Sequence, residues 1–325
     1  MKIVAPLPCV EACVALTAAG ADEFYCGFVP YEWLKKYLNV SAINRRELLA
    51  KSNITTYSAM QKLGSISQYL GVPIAVTFNS HFYSYDQYNY IMEIIERLQG
   101  FGFNTFIVSD IGLISYLRRN GVDCNLHLSG EAVCLNNKAA EVYGDFGIQR
   151  FIIPRQTTVQ EIDEFINKTK QLCSEFEAFF ANTLCLYCGG FCNSMHADEI
   201  KNICSLRSSV QCWETEAKRT LPVIDRTSVS LSWINNSRTT DCFRENRLLF
   251  GSGCGLCKVK ALQNAGVNYL KLVGRELGVE TLQKQLALIK RVINDSSSFS
   301  NAEMFEKYVR VSMFGEKCPT KCYYR

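Results

Sequence analysis

Short apolar runs alternate along the chain with stretches whose apolar residues recur at helical spacing. Lys2–Pro6 predicts a strand. Cys9–Ala19 predicts a helix closed by Gly20, because glycine readily takes the left-handed conformation that ends a helix. Further strands are predicted over Glu23–Phe28, Pro73–Asn79, Thr105–Asp110, Cys124–Gly130, Arg150–Arg155, Glu177–Thr183 and Tyr269–Gly274. Helices are predicted within Arg45–Leu70, broken near Ser52–Thr56, and over Tyr85–Leu98, the stretch up to Arg119, Asn136–Tyr143, Val159–Cys173, Val259–Ala265 and Gly278–Ile293. Thr158 and Glu161 fit a capping box for the helix that starts there.

The strands are continuous apolar runs rather than apolar/polar alternations, the pattern of a parallel sheet covered on both faces. Eight of them predict an α/β protein of (β/α)8 TIM-barrel type, with a doubly wound sheet as the other arrangement. No GxGxxG follows a strand, and Gly251-Ser252-Gly253-Cys254-Gly255 has neither a preceding strand nor a P-loop ending. The alternation breaks over residues 184–258. A cysteine-rich insertion is therefore expected between the seventh and eighth strands of a barrel spanning 1–295, with 296–325 as a tail carrying Cys318-x3-Cys322. In a barrel that insertion lies at the end where function concentrates.

Composition sharpens the picture at one point. The chain has 325 residues, long enough for a large core without disulfide staples, yet 16 are cysteine and only three histidine. The start of the chain lacks a basic stretch followed by a long apolar one, and no run is long enough to span a membrane. The expected compartment is therefore the cytoplasm, where thiols stay reduced, and metal binding is the first candidate role for them. The net charge of +4 is small and no Lys/Arg run of five or more occurs, which neither demands nor excludes nucleic acid; no DNA partner is expected. Eight cysteines fall in the insertion: Cys185, Cys188, Cys192, Cys204, Cys212, Cys242, Cys254 and Cys257. Cys185-x2-Cys188 and Cys254-x2-Cys257 are knuckles of the kind that hold structural zinc, while Cys185-x2-Cys188-x3-Cys192 suits an iron–sulfur cluster. Cys9, Cys13, Cys26, Cys124, Cys134 and Cys173 are expected as buried small side chains.

An ordered set of motifs carries a resemblance. Ala5-Pro6 followed by Ala18-Ala19-Gly20-Ala21-Asp22-Glu23-Phe24-Tyr25-Cys26-Gly27 is similar to the opening of the collagenase-like peptidase U32 family. Val108-Ser109-Asp110-Ile111-Gly112-Leu113, His127-Leu128-Ser129, Asn136-Asn137, Arg150-Phe151-Ile152-Ile153-Pro154-Arg155, Leu184-Cys185 with Gly190 and Cys192, Gln211-Cys212-Trp213, and Ala265 through Arg275 resemble its later motifs in the expected order. The similarity covers about residues 2–295. It implies a TIM-like barrel and, for the cysteine-bearing branches, a four-cysteine [4Fe-4S] cluster. Those branches are linked to oxygen-independent hydroxylation of ubiquinone precursors or RNA bases, with prephenate as oxygen source. Carried over by motif, Cys185 and Cys192 match the first pair of ligands. Cys212 or Cys204 is the third, and Cys242 or Cys254 the fourth. Cys188, Cys257, Cys318 and Cys322 exceed that pattern and leave room for a second metal site. Four positions depart from the family: Ala181-Asn182 stand where it often has histidine and glycine, Gln156 where it has an acidic residue, and Val273 where it has glutamate.

Several other side chains sit where a barrel does its chemistry. His127, Asp110, Glu131, Arg155, Lys271 and Arg275 are candidate substrate contacts. Arginine can grip a carboxylate with two parallel hydrogen bonds. The bland alternatives are an interior histidine for His127, a helix cap for Asp110 and a structural ion pair for Lys271 and Arg275. His81 follows the third strand and His196 lies just past Cys192. Together these features predict an iron–sulfur enzyme of redox or hydroxylation type acting on a small aromatic molecule, an RNA base or a peptide. The alternatives are a non-catalytic zinc or cluster protein that binds a partner enzyme, and a peptidase. The peptidase lacks a recognisable cysteine–histidine pair.

Overall fold

The computed structural model describes residues 1–37, 42–47, 52–185, 187, 189, 192, 242–315, 317–319 and 321–324, with the backbone of 196–197 and 201–202. Eight parallel strands close into a barrel: β1 (Lys2–Pro6), β2 (Glu23–Phe28), β3 (Ile74–Phe78), β4 (Thr105–Val108), β5 (Asn125–Leu128), β6 (Arg150–Ile153), β7 (Glu175–Ala181) and β8 (Tyr269–Leu272). Closure is made by β1, which pairs in parallel with β2 through Val4↔Glu23 and with β8 through Lys2↔Tyr269. A two-residue strand, Asn53–Ile54, extends the sheet beside the end of β2. The strands are short runs such as Ile-Ala-Val-Thr-Phe in β3, buried at every position, as a sheet walled on both faces requires.

Helices α1 (Ala12–Ala18), α2 (Tyr31–Tyr37), α3 (Tyr57–Leu70), α4 (Tyr85–Gln99), α5 (Ile111–Arg119), α6 (Asn137–Gly144) and α7 (Val159–Thr169) lie between the first seven strands. α8 (Cys242–Leu249), α9 (Val259–Asn264), α10 (Val279–Ser296) and α11 (Ala302–Phe314) complete the chain. The predicted capping box is present: Thr158 accepts from the Glu161 N–H, and Glu161 accepts from the Thr158 N–H. α2, α8 and α11 were not legible in the sequence pattern. α8 and α11 form a pair outside the barrel, where Asn246 and Arg247 donate to the Met313 and Phe314 carbonyls and satisfy the end of α11. Lys258 pins α11 from the other side with a 2.6 Å ion pair to Glu306.

The seventh strand ends earlier than its apolar run predicts. Asn182 and Thr183 take φ of 64° and 33°, outside the extended region, so pairing stops at Ala181. A register shift also falls here: Lys271 pairs with Phe179 and Leu272 with Ala181, leaving Phe180 as an extra residue. Such a bulge bends the strand and re-aims the chain beyond it. Among the described residues, no helix is long and apolar enough to cross a membrane.

The lower barrel interior is not apolar. Arg150, at the start of β6, donates to Glu23 of β2 at 2.8 Å and to Glu175 and Glu177 of β7 at 2.8 and 2.9 Å. Lys271 of β8 reaches the other oxygen of Glu177 at 2.6 Å. The Arg150 guanidinium lies 3.4 Å over the Tyr269 ring, and Lys271 lies 4.1 Å over Tyr25. Burial would raise the Glu177 carboxyl, but Lys271 and Arg150 outweigh it and hold Glu177 below the usual carboxylate range. Removing one partner from such a network leaves an uncompensated buried charge. Arg150→Ala should therefore lower stability by about 3–5 kcal/mol, read as a fall in the urea midpoint; an unchanged midpoint would show that the network is not holding the barrel.

Candidate functional site

The C-terminal ends of the barrel strands gather a charged group that no single motif announces. Its centre is Glu131, just past β5 in the short turn Gly130–Ala132. The His81 Nε2 lies 3.3 Å from one Glu131 oxygen, Arg155 Nη1 3.5 Å from the other, and Arg45 Nε 3.9 Å away. His81 follows β3, Arg155 follows β6, and Arg45 comes from the segment after α2. Burial pushes the Glu131 carboxyl up, but the His81 hydrogen bond and the Arg155 and Arg45 charges overcome this and hold it at about 2. Glu131 is thus a carboxylate at neutral pH and orients the cations around it. The Arg155 guanidinium rests 4.2 Å from the Phe179 ring centroid, and its Nε is buried with no hydrogen-bond partner.

Arg275, past β8, is buried at the same end. It donates to Thr77 Oγ1 and Asn44 Oδ1, each at 3.2 Å. Its seat is made by Gly27 of β2: any side chain there would collide with the Arg275 guanidinium. Gly274 has φ of 121° and a Cβ there would meet Leu277, so the turn that delivers Arg275 requires glycine. Burial lowers the Arg275 pKa to about 10, which leaves it cationic at pH 7.

Cysteines reach the same rim. Cys185 follows the bulged end of β7, and Gln156, standing at the family's acidic position, donates to its carbonyl at 3.0 Å. Asn182 occupies the left-handed position where the family has glycine. Asparagine tolerates that conformation, and here its amide also bonds the Val273 carbonyl at 2.8 Å and Gln285 at 2.9 Å. Gly189 (φ 36°) sits against Val133 and the Glu131 carbonyl with no room for a side chain. Cys192 is buried, its N–H bonded to Gly189 O at 2.9 Å and its Sγ 3.1 Å from Arg45 Nη2. Arg155 and Tyr323 both act electrostatically with the Cys185 thiol. Cys192 therefore sits beside Arg45, which contacts Glu131, and Cys185 is tied to Gln156, the neighbour of Arg155.

The remaining sequence candidates are distributed differently. Asp110 caps α5, accepting from Gly112 N at 2.8 Å, Tyr83 N at 3.1 Å and Tyr88 OH at 3.0 Å, so both its oxygens are used inside the fold. Lys271 belongs to the interior network with Glu177, below the rim. His127 is buried beside Arg150, Glu177 and Lys271. Burial, with the Arg150 and Lys271 charges, lowers its pKa to about 3, and its Nδ1 has no partner. Cys242 is exposed at the start of α8. Cys188, Cys204 and Cys212 lie outside the described residues. The backbone of His196–Ala197 pairs antiparallel with Lys201–Asn202. Among the described residues no three His, Cys, Asp or Glu side chains are arranged to hold a metal ion. Sequence reasoning missed Arg45, Asn44 and Tyr323, which lie in segments with no motif.

The family described as peptidase family U32 matches residues 9–324. Among curated proteins, the chain is 31% identical over 91 residues to "tRNA hydroxylation protein P" of Escherichia coli (strain K12), covering 28% of this chain and 20% of that protein. It is 30% identical over 89 residues to the protein of the same name from Haemophilus influenzae, covering 27% and 19%. The chain thus spans about a fifth of the length of these relatives. It is also similar to the solved structure of the U32 peptidase Mk0906, at 13% identity and a TM-score of 0.42, over 57% of this chain and 70% of that one.

The Glu131 pairing has a pH signature. A carboxyl held at about 2 in the folded chain against an ordinary 4.5 contributes stability that is complete above pH 4.5 and is lost as pH falls toward 2. Glu131→Gln should therefore lose less stability than the parent between about pH 6 and about pH 3, measured by urea unfolding at each. An equal loss in both would show that the cations do not hold Glu131 ionised.

Proposed function

Since the chain belongs to the peptidase U32 family, and carries two of the motif-matched cysteines at the rim of its barrel, we propose that it is an iron–sulfur enzyme of hydroxylation type. The observation that carries the reading is the placement of Cys192 against Arg45 of the Arg45–Glu131–Arg155 group, with Cys185 held by Gln156 next to Arg155, at the end of the barrel where such folds work. The donor chemistry fits a cluster. Two thiols stand at this rim, Cys192 with its sulfur 3.1 Å from the Arg45 guanidinium, and Cys242 with Cys212 or Cys204 would complete the set. When bound, a [4Fe-4S] cluster supplies one-electron chemistry whose potential depends on burial and on hydrogen bonds to sulfur.

The chain's own residues suggest what else the site holds. Arg155 Nε is a buried donor without a partner, and unmet donors of this kind cost free energy unless a ligand or water meets them. With Arg275 cationic nearby, the rim suits a substrate or co-substrate bearing a carboxylate. Glu131, ionised at neutral pH, holds Arg155 and His81 in place and is not a proton donor there. The name shared by the two curated relatives favours an RNA base as the group modified. A reducing, cytoplasmic setting follows from the thiols the reading needs. A peptidase reading gains less support: His81 is committed to Glu131, and His127 lies among Arg150, Glu177 and Lys271.

The test is anaerobic purification with iron, sulfide and zinc assays. About four iron atoms per chain with a broad visible absorption band are expected. Cys185→Ala or Cys192→Ala should remove the iron without unfolding the barrel, judged by far-UV circular dichroism. Zinc alone, with no iron, would overturn the redox reading in favour of a non-catalytic metal protein.

A further inference from the structure

Four cysteines that the rim does not use come together elsewhere. Backbone 252–254 runs antiparallel to the chain leaving β7: Asn182 N donates to Gly253 O and Leu184 N to Ser252 O, each at 2.9 Å. The C-terminal tail lies along its other edge, with Cys254 N bonded to Lys321 O at 3.0 Å and Tyr323 N to Cys254 O at 2.9 Å. This pairs Cys254 directly with Cys322. Chain ends far apart in sequence thus bring the Cys254-x2-Cys257 turn against the Cys318-x3-Cys322 tail. The Cys254 thiol is acted on by the thiols of Cys257, Cys322 and Cys318, and the Cys257 thiol by that of Cys322.

The turn has the features of a thiolate-holding knuckle. The Lys258 N–H closes it on the Gly255 carbonyl at 2.9 Å, and a side chain at Gly255 would crowd the Phe180 carbonyl. The Arg310 guanidinium on α11 acts as a positive charge on Cys257 and Cys318, so a cation stands where negative charge would gather. Cys254 and Cys257 are buried, Cys322 is half-buried and Cys318 is exposed on the tail. The four thiols are neighbours, but no three are yet set around one centre.

We propose that Cys254, Cys257, Cys318 and Cys322 form a closed four-thiolate zinc site that fastens the C-terminal tail to the turn after α8. Four thiolates in two close pairs are the donor set of structural zinc. Binding exchanges four S–H bonds for four Zn–S bonds and releases four protons, with no change of oxidation state. Arg310 offsets part of the resulting negative charge. Tyr323, between the tail cysteine and the chain end, hydrogen-bonds the Asn182 carbonyl, so the fastened tail braces the backbone that leads to Cys185. This site is separate from the proposed cluster, and its zinc is counted independently of iron.

The test uses the full chain under reductant, with zinc and iron measured together. About one zinc per chain is expected in the parent. C318A/C322A should lose it while retaining the parent's iron. Alkylation mapped by mass spectrometry gives a second reading that needs no variant. With zinc present, Cys318 should alkylate at least tenfold more slowly than after chelation, although its side chain is exposed. Replacing zinc by cobalt should give the visible and near-ultraviolet bands of a tetrahedral tetrathiolate. Equal zinc in parent and variant, or a Cys318 alkylation rate indifferent to chelator, would overturn the site. Loss of iron in the parent with zinc retained would instead count only against the cluster.

Discussion

The closed barrel depends on how it handles charge that it has taken out of water. Arg150 stands among Glu23, Glu175 and Glu177, and Lys271 reaches Glu177 from the next strand. An isolated ion at that depth would be prohibitive, so every one of these groups must find its partner as the strands close. The partners come from β2, β6, β7 and β8, and the Arg150–Glu23 pair spans 127 positions of sequence. Only one strand order and one register bring them together. The network thus ties four strands together through their interior charges. It also explains why Lys271 and His127, which sit on the strands expected to serve a substrate, serve the interior instead.

Above that layer the same barrel supports a different arrangement. Residues without side chains make room for close approach: Gly27 seats Arg275, and Gly189 sits directly against the Glu131 turn. The bulge at Phe180 and the left-handed pair Asn182 and Thr183 turn the chain off β7 toward Cys185. The departures from the family motifs acquire physical meaning here. Gln156 holds the Cys185 carbonyl, and Asn182 replaces a glycine's conformational freedom with an amide bonded to Val273 and Gln285.

Much of the framework was legible in the sequence. The strands show because a parallel sheet is buried on both faces and must be written as apolar runs, and the Thr158–Glu161 box shows because its partners are three residues apart. The helices α8 and α11 did not show, because they lie outside the repeating strand–helix pattern, with α8 joined by Asn246 and Arg247 to the end of α11. Of the rim group, Glu131, Arg155 and Arg275 could be placed from their positions at strand ends. Arg45, Asn44 and Tyr323 could not, since nothing local distinguishes them from surface residues.

The sequence by itself determined the class of fold, the number of barrel strands and the concentration of thiols past the seventh strand, because each is recorded in short-range periodicity and composition. Tertiary structure decided which charges face one another and which cysteines become neighbours. It separated Cys185 and Cys192, at the rim beside the arginines, from Cys254, Cys257, Cys318 and Cys322, where the tail returns. Spacing along the chain cannot make that division. It depends on backbone pairing between segments nearly seventy residues apart or more, and on the turn geometry that aims each thiol.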